Sequence, residues 1–175
     1  MTDAAALLAR LETLEAENAV RRVLARYFQY CDDLGPRTPL EALGELFTVD
    51  ALWEGKGRYE TAFGRYAGRA AIVEMIASYC TPPHFAMTAH FTSSETITVT
   101  GTSARGEWMM LQCSTYSDGR SDLRSAALSV SFEKQGEEWR IAHFRTTNLF
   151  SRHVDHWSDT KIIPVPESIT QGPIA

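Results

Sequence analysis

Histidines and carboxylates are the side chains of this sequence best suited to moving protons, and their spacing limits what they can do together. Asp32 and Asp33 close an apolar helical register just before Gly35 and Pro36. Carboxylates are disfavoured at the negative end of a helix, so this pair is either a solvated helix end or has another use. His90 stands amid Ala86, Thr88 and Phe91 on an otherwise apolar stretch, and an imidazole exchanges its proton near neutral pH. His84 lies six residues earlier on the same expected strand, roughly 20 Å away at 3.4 Å per residue, too far for the two to chelate one ion. His143 alternates with Ile141 and Arg145 and fits a packed histidine as well as a catalyst. His153 and His156 flank Asp155 without a third or fourth ligand at fitting spacing, so solvated side chains explain them better than a metal site.

The motifs of other chemistries are missing. There is no G-x-S-x-G elbow, phosphate-binding G-x-x-x-x-G-K-[ST] loop or H-E-x-x-H pair, and Gly55 and Gly57 lack the third glycine of a dinucleotide fingerprint. Chemistry without a metal or cofactor is the expectation. Composition narrows the partners as well. The 175 residues are 44% apolar and 22% charged, and 17 basic against 22 acidic residues leave a net charge of -5. These are globular values, and without a Lys/Arg cluster neither nucleic acid nor an anionic membrane is an expected partner. No apolar run is long enough to span a bilayer and the first residues do not resemble a secretory signal, so the expected setting is the cytoplasm. Cys31, Cys80 and Cys113 are odd in number and widely spaced, which fits reduced thiols.

The elements that must hold these side chains follow from periodicity. Residues Ala4 to Leu34 read as one helix, with Leu7, Leu11, Leu14, Val20, Leu24, Tyr27 and Cys31 at three- and four-residue steps. Its first three turns are expected to extend beyond the core. A short helix over Pro39 to Phe47, a brief strand over Asp50 to Trp53, a strand over Tyr59 to Tyr66 and a helix over Arg69 to Tyr79 follow. Four strand-like stretches come next: His84 to Thr100, Ser103 to Ser117, Asp122 to Lys134 and Glu138 to Thr147, joined by short turns that imply antiparallel neighbours. From Asn148 onward no periodicity is visible, and an irregular tail over residues 151–175 is expected after a domain over residues 1–150. Helices first and a meander after predict an α+β domain. Between Glu107 and Tyr116 both alternating sets are apolar, Trp108 and Met110 on one side and Met109 and Leu111 on the other. A sheet with one wet face should alternate cleanly, so a second chain is expected over the outer face, in a homo-oligomer.

Several phrases, in order, carry a resemblance. Val20 to Tyr27 (VRRVLARY) with Cys31, Asp32 and Asp33, Leu43 to Phe47 (LGELF) with Asp50 to Trp53 (DALW), and Gly64 to Gly68 (GRYAG) with Ala71 and Ile72 form the first half. Ala89 to Phe91 (AHF), Ile97 to Gly101 (ITVTG), and Phe132 to Gly136 (FEKQG) with Trp139 to Ile141 (WRI) continue it. Together they resemble SnoaL-like proteins of the NTF2-like superfamily, nearest the branch with scytalone dehydratase, hexachlorocyclohexane dehydrochlorinase and bile acid 7α-dehydratase. The resemblance implies an NTF2-like (cystatin-like) cone, a curved antiparallel sheet wrapped round a long N-terminal helix with an apolar pocket at one end. It implies a lyase site in which Asp32 and His90 match the acid and histidine positions.

On that basis His90 is expected to act as base and Asp32 to hold its tautomer, with Tyr30 or Tyr27 as proton donor. Trp53, Phe85, Met87, Trp108, Met110, Leu128 and Phe144 are the expected apolar walls, although core packing explains each equally well. Arg145 is a candidate for a leaving group or carboxylate, or else an outward salt bridge. Ala126 and Leu128 replace the polar pair of scytalone dehydratase, which argues against that substrate. The expected activity is elimination or isomerisation on a small, mostly apolar ring compound, in a trimer or a dimer. The rival readings are a non-catalytic scaffold like the small subunit of ring-hydroxylating dioxygenases, and a polyketide cyclase or ligand-binding protein.

Overall fold

A computed structural model describes residues 3–155 and 157. The chain begins with α1 (Ala4–Asp32), α2 (Leu40–Gly44), β1 (Phe47–Lys56), α3 (Arg58–Phe63), β2 (Arg65–Ala67) and α4 (Arg69–Ala77). Four long strands complete it: β3 (Phe85–Thr100), β4 (Ser103–Tyr116), β5 (Ser121–Gln135) and β6 (Glu138–Val154). They form one curved, open sheet in the order β2-β1-β6-β5-β4-β3. All neighbours run antiparallel except β1 and β6, which are parallel and make the sheet mixed where the sequence implied a purely antiparallel one. A parallel pair needs a long crossover. The chain from α3 through β5 serves as that crossover.

Asp3 caps α1 by accepting a hydrogen bond from the Ala5 amide, satisfying one of the helix's free N–H groups. Only the second half of α1 enters the core, through Val20, Leu24, Tyr27 and Phe28, while Leu7, Leu8, Leu11 and Leu14 are more than half exposed. The concave side of the sheet wraps this half. Inward residues alternate along β5 as Ala126, Leu128, Val130 and Phe132, while on β6 Ile141 and Phe144 both face in because the register shifts between them. Register shifts between Ser93 and Thr96 in β3, and at Ser125/Ala126 and Ser131/Phe132 in the β5–β6 pair, mark the irregularities that bend long strands into a cone.

Three boundaries differ from the sequence reading. The second helix is only five residues long, because Phe47 and Thr48 are drawn fully into the core as the start of a ten-residue β1. Tyr59 to Tyr66 is not a strand: Gly57 and Gly64, both at positive φ, bracket a single helical segment that puts Tyr59 and Phe63 on one face, and the strand is confined to Arg65–Ala67. The last strand runs to Val154, since Ser121 to Ser125 of β5 pair with Phe150 to Val154 and use backbone groups that an irregular tail would leave unpaired. Beyond it, the Trp157 indole N–H donates to the Ser114 carbonyl at 3.0 Å. The expected tail past this point, and His156 of the possible metal pair, lie outside the described residues. No helix among the described residues is long and apolar enough to cross a membrane.

Candidate active site

Asp32 is the last residue of α1 and His90 lies in the middle of β3, and the packing of helix on sheet brings them together. Asp32 Oδ1 is 2.6 Å from His90 Nδ1 and also accepts the His90 backbone N–H at 3.0 Å. Two contacts to one oxygen fix both the strand and the ring. A carboxylate can only accept, so it selects the tautomer with the proton on Nδ1 and leaves Nε2 with a free lone pair. The ring is further held by Phe28, stacked on it with centroids 4.8 Å apart and planes 27° from parallel. The His90 side chain is 11% exposed and that of Asp32 33%.

His90 forms part of the wall of a cavity of about 120 Å³ between α1, α3, α4 and the concave sheet. This is the scale of one six-membered ring, since an apolar cavity of about 150 Å³ holds benzene. Its lining is mainly aromatic and sulfur-bearing, with Tyr27, Phe28, Trp53, Phe85, Met110 and Phe144 on its main walls. Trp53 and Phe144 stack at 5.7 Å with planes 7° apart, giving a flat wall. Tyr27 is buried, and its hydroxyl accepts the Trp53 indole N–H at 3.0 Å while its own proton is directed at the neighbouring Cys31 sulfur. Burial, reinforced by the neighbouring Cys31, lifts Tyr27 well above the usual phenol range, and burial pushes the Cys31 thiol up to about 12. Both stay protonated at neutral pH. Gln112 adds an amide to the wall and donates to Ser114 Oγ at 2.8 Å.

The other candidate residues go elsewhere. Tyr30 does not line the cavity: its hydroxyl takes the Arg26 Nε–H at 3.1 Å and its ring lies under that guanidinium. Met87 points to the convex side of the sheet and is 37% exposed. Trp108 faces inward but is held away by its indole N–H, which donates to Glu95 at 3.1 Å, and it packs on Phe132. Leu128 is fully within the core. Arg145 takes the outward option, donating to Glu54 Oε1 at 2.8 Å, with His143 Nε2 3.0 Å from the same oxygen. Sequence reasoning missed Phe28, Cys31, Leu34, Tyr59, Phe63, Met75, Ile76, Tyr79, Gln112 and Thr146 on the cavity wall. The i, i+4 spacing of Tyr59 and Phe63 was the one available signal.

The fold is that of a known family. Residues 12–145 match the SnoaL-like domain, and the chain belongs to that family. No curated protein matches the sequence significantly. Among solved structures, a type 2 hexachlorocyclohexane dehydrochlorinase (LinA) superposes with a TM-score of 0.69 at 16% identity, over 85% of this chain and 97% of its own. An NTF2-like protein with a cystatin-like fold from Novosphingobium aromaticivorans gives 0.67 at 27% identity, over 85% and 92%. A provisionally named aromatic ring hydroxylase from the same organism gives 0.69 at 17%, over 81% and 94%.

Proposed function

We propose that the protein is a cofactor-independent lyase or isomerase that removes a carbon-bound proton from a small, mostly apolar ring compound. The observation that carries this reading is the 2.6 Å contact that aims His90 from Asp32, with the ring set in the wall of an aromatic cavity. His90 Nε2 takes the proton, and the electron pair of the broken C–H bond forms a double bond. In an elimination the leaving group departs with its own bonding pair, and in an isomerisation the proton returns at another carbon. Asp32 stabilises the imidazolium while it exists, and Tyr27 turns its proton from Cys31 to the leaving group or to a developing oxyanion. The fold shared with a dehydrochlorinase supports the elimination form.

A scaffold role, the main rival, requires no aimed base and no cavity. The test is a panel of ring compounds bearing an acidic C–H bond and a hydroxyl or halide on the adjacent carbon, assayed for elimination and double-bond migration. Turnover by the native protein that falls by about 10²- to 10⁴-fold in His90→Ala is expected. Turnover that survives in His90→Ala removes His90 from the mechanism. We further propose that the chain works as a homo-oligomer, on the exposed apolar residues Phe91, Met109, Leu111 and Phe150.

A further inference from the structure

The concave face carries a second polar centre that lies outside the His90 and Asp32 pair. His90 on β3 is directly opposite Gln112 on β4, and Gln112 is directly opposite Arg124 on β5. The three residues therefore form one cross-strand row on one face of the sheet. Two interstrand steps of roughly 4.8 Å place the first and third about 10 Å apart at Cα. That is close to the length of a substituted six-membered ring with a side chain reaching in from each end.

The guanidinium in this row is built in rather than loose. Its side chain is 24% exposed, and Nε donates to Asp122 Oδ2 at 2.7 Å while Nη2 donates to the Tyr116 hydroxyl at 2.5 Å. Tyr116 itself donates to Asp122 Oδ2 at 2.8 Å and packs on Phe85, a cavity wall residue. Arginine has five N–H donors. These bonds occupy one edge and leave Nη1 without a partner among the described residues. Asp122 is 4% exposed, so the fork is clamped from behind by a buried carboxylate that also balances its charge. Arg124 does not itself line the cavity, but its cross-strand neighbour Gln112 and the Phe85 ring packed on Tyr116 both do, which sets the guanidinium beside the cavity wall.

We propose that Arg124 is a specificity-determining residue that binds an oxygen acceptor, a carbonyl or carboxylate, on the substrate at the end of the row opposite His90. This rests on the proton-transfer reading and deepens it: the ring compound carries an oxygen-bearing substituent across from the carbon that loses its proton. Since Asp122 already compensates the charge, what Arg124 offers is a directed pair of N–H donors, which serves a neutral carbonyl as well as an anion. A substrate that is hydrocarbon or halocarbon throughout leaves these donors unused.

Binding tests this without any turnover, so the outcome is separate from whether His90 is a base. Acetophenone, benzoate and ethylbenzene are titrated calorimetrically into the full-length protein and into Arg124→Met. The expected result is a loss of about tenfold in affinity for acetophenone, benzoate or both, with ethylbenzene changed less than twofold, as for the loss of one charge-assisted hydrogen bond. Which oxygen-bearing probe loses affinity distinguishes carbonyl from carboxylate recognition. An equal loss for all three, or no loss, overturns the proposal. Because Arg124→Met strips a buried carboxylate of its partner, a second measurement uses the native protein. Crystals soaked in acetophenone or benzoate are expected to show the probe's oxygen within hydrogen-bond distance of Arg124 Nη1, and an oxygen bound elsewhere in the cavity overturns the assignment.

Discussion

The acid–base pair depends on very few atoms. Asp32→Asn keeps the shape of the carboxylate but can present an N–H where Oδ1 accepts, so the imidazole loses its enforced tautomer. Activity on any substrate found is expected to fall by about 10²- to 10⁴-fold with little change in melting temperature, checked by kinetics alongside calorimetry. Unchanged activity would show that Asp32 serves only to pin the end of α1 to β3. Tyr27→Phe removes the acceptor of the Trp53 indole N–H and the cavity's buried phenol. The expected result is a lower turnover number together with a stability loss of about 1–3 kcal/mol from the stranded indole donor, measured by denaturant titration. A carboxylate at a helix C-terminus and a histidine on an apolar strand are both out of place, but that alone gave only a weak signal, and it was the resemblance to SnoaL-like lyases that singled out Asp32 and His90. Arg124 was not legible, since an arginine on a β-strand looks like any surface residue until the register sets it in the row of His90.

Among the elements, α3 and β1 are coupled at Gly55, where an added Cβ would lie 2.3 Å from the Tyr59 backbone oxygen. Gly55→Ala forces α3 away from the sheet and takes Tyr59 and Phe63 off the cavity wall. A destabilisation of about 1–3 kcal/mol is expected from this overpacking, with weaker binding of any cavity ligand. Glu54 fastens the same strand on the other side. Its side chain is 6% exposed and meets Lys56, His143 and Arg145. Burial alone would raise its pKa, but hydrogen bonds from Arg145, Lys56 and His143 bring it down from 4.5 to about 2. A carboxylate depressed on folding stabilises the protein above its unfolded value, and that contribution is lost as pH falls from 4.5 toward 2. Denaturation midpoints are expected to drop across this window, and the drop is expected to be smaller in Glu54→Gln. Equal slopes in the two proteins would contradict this account of Glu54. Long periodic elements such as α1 and the meander could be read from the sequence, whereas α3 could not. Six residues between two glycines carry too little pattern to separate a strand from a helical turn.

For the whole molecule, the decisive feature is a sheet with two apolar sides and, among the described residues, one covering layer of helices. Its concave side holds the core and the cavity, while Phe91 and Leu111 are opposite one another on the convex side, 58% and 38% exposed. The expected solution mass is a multiple of 19.5 kDa, and light scattering behind gel filtration reads it. Leu111→Asp is expected to lower that mass while leaving the cavity intact, and a native mass of 19.5 kDa would contradict the oligomer. The α+β class was legible from the order of elements and the cone from the resemblance, but the cavity's shape was not, because it depends on how three helices and the sheet meet. The proposed function asks this architecture to aim one imidazole, that of His90. Long-range proton–nitrogen NMR on His90 reads that directly: the proton is expected on Nδ1 with Nε2 bare at neutral pH, and this preference is expected to vanish in Asp32→Asn. A native His90 that carries its proton on Nε2 contradicts the account.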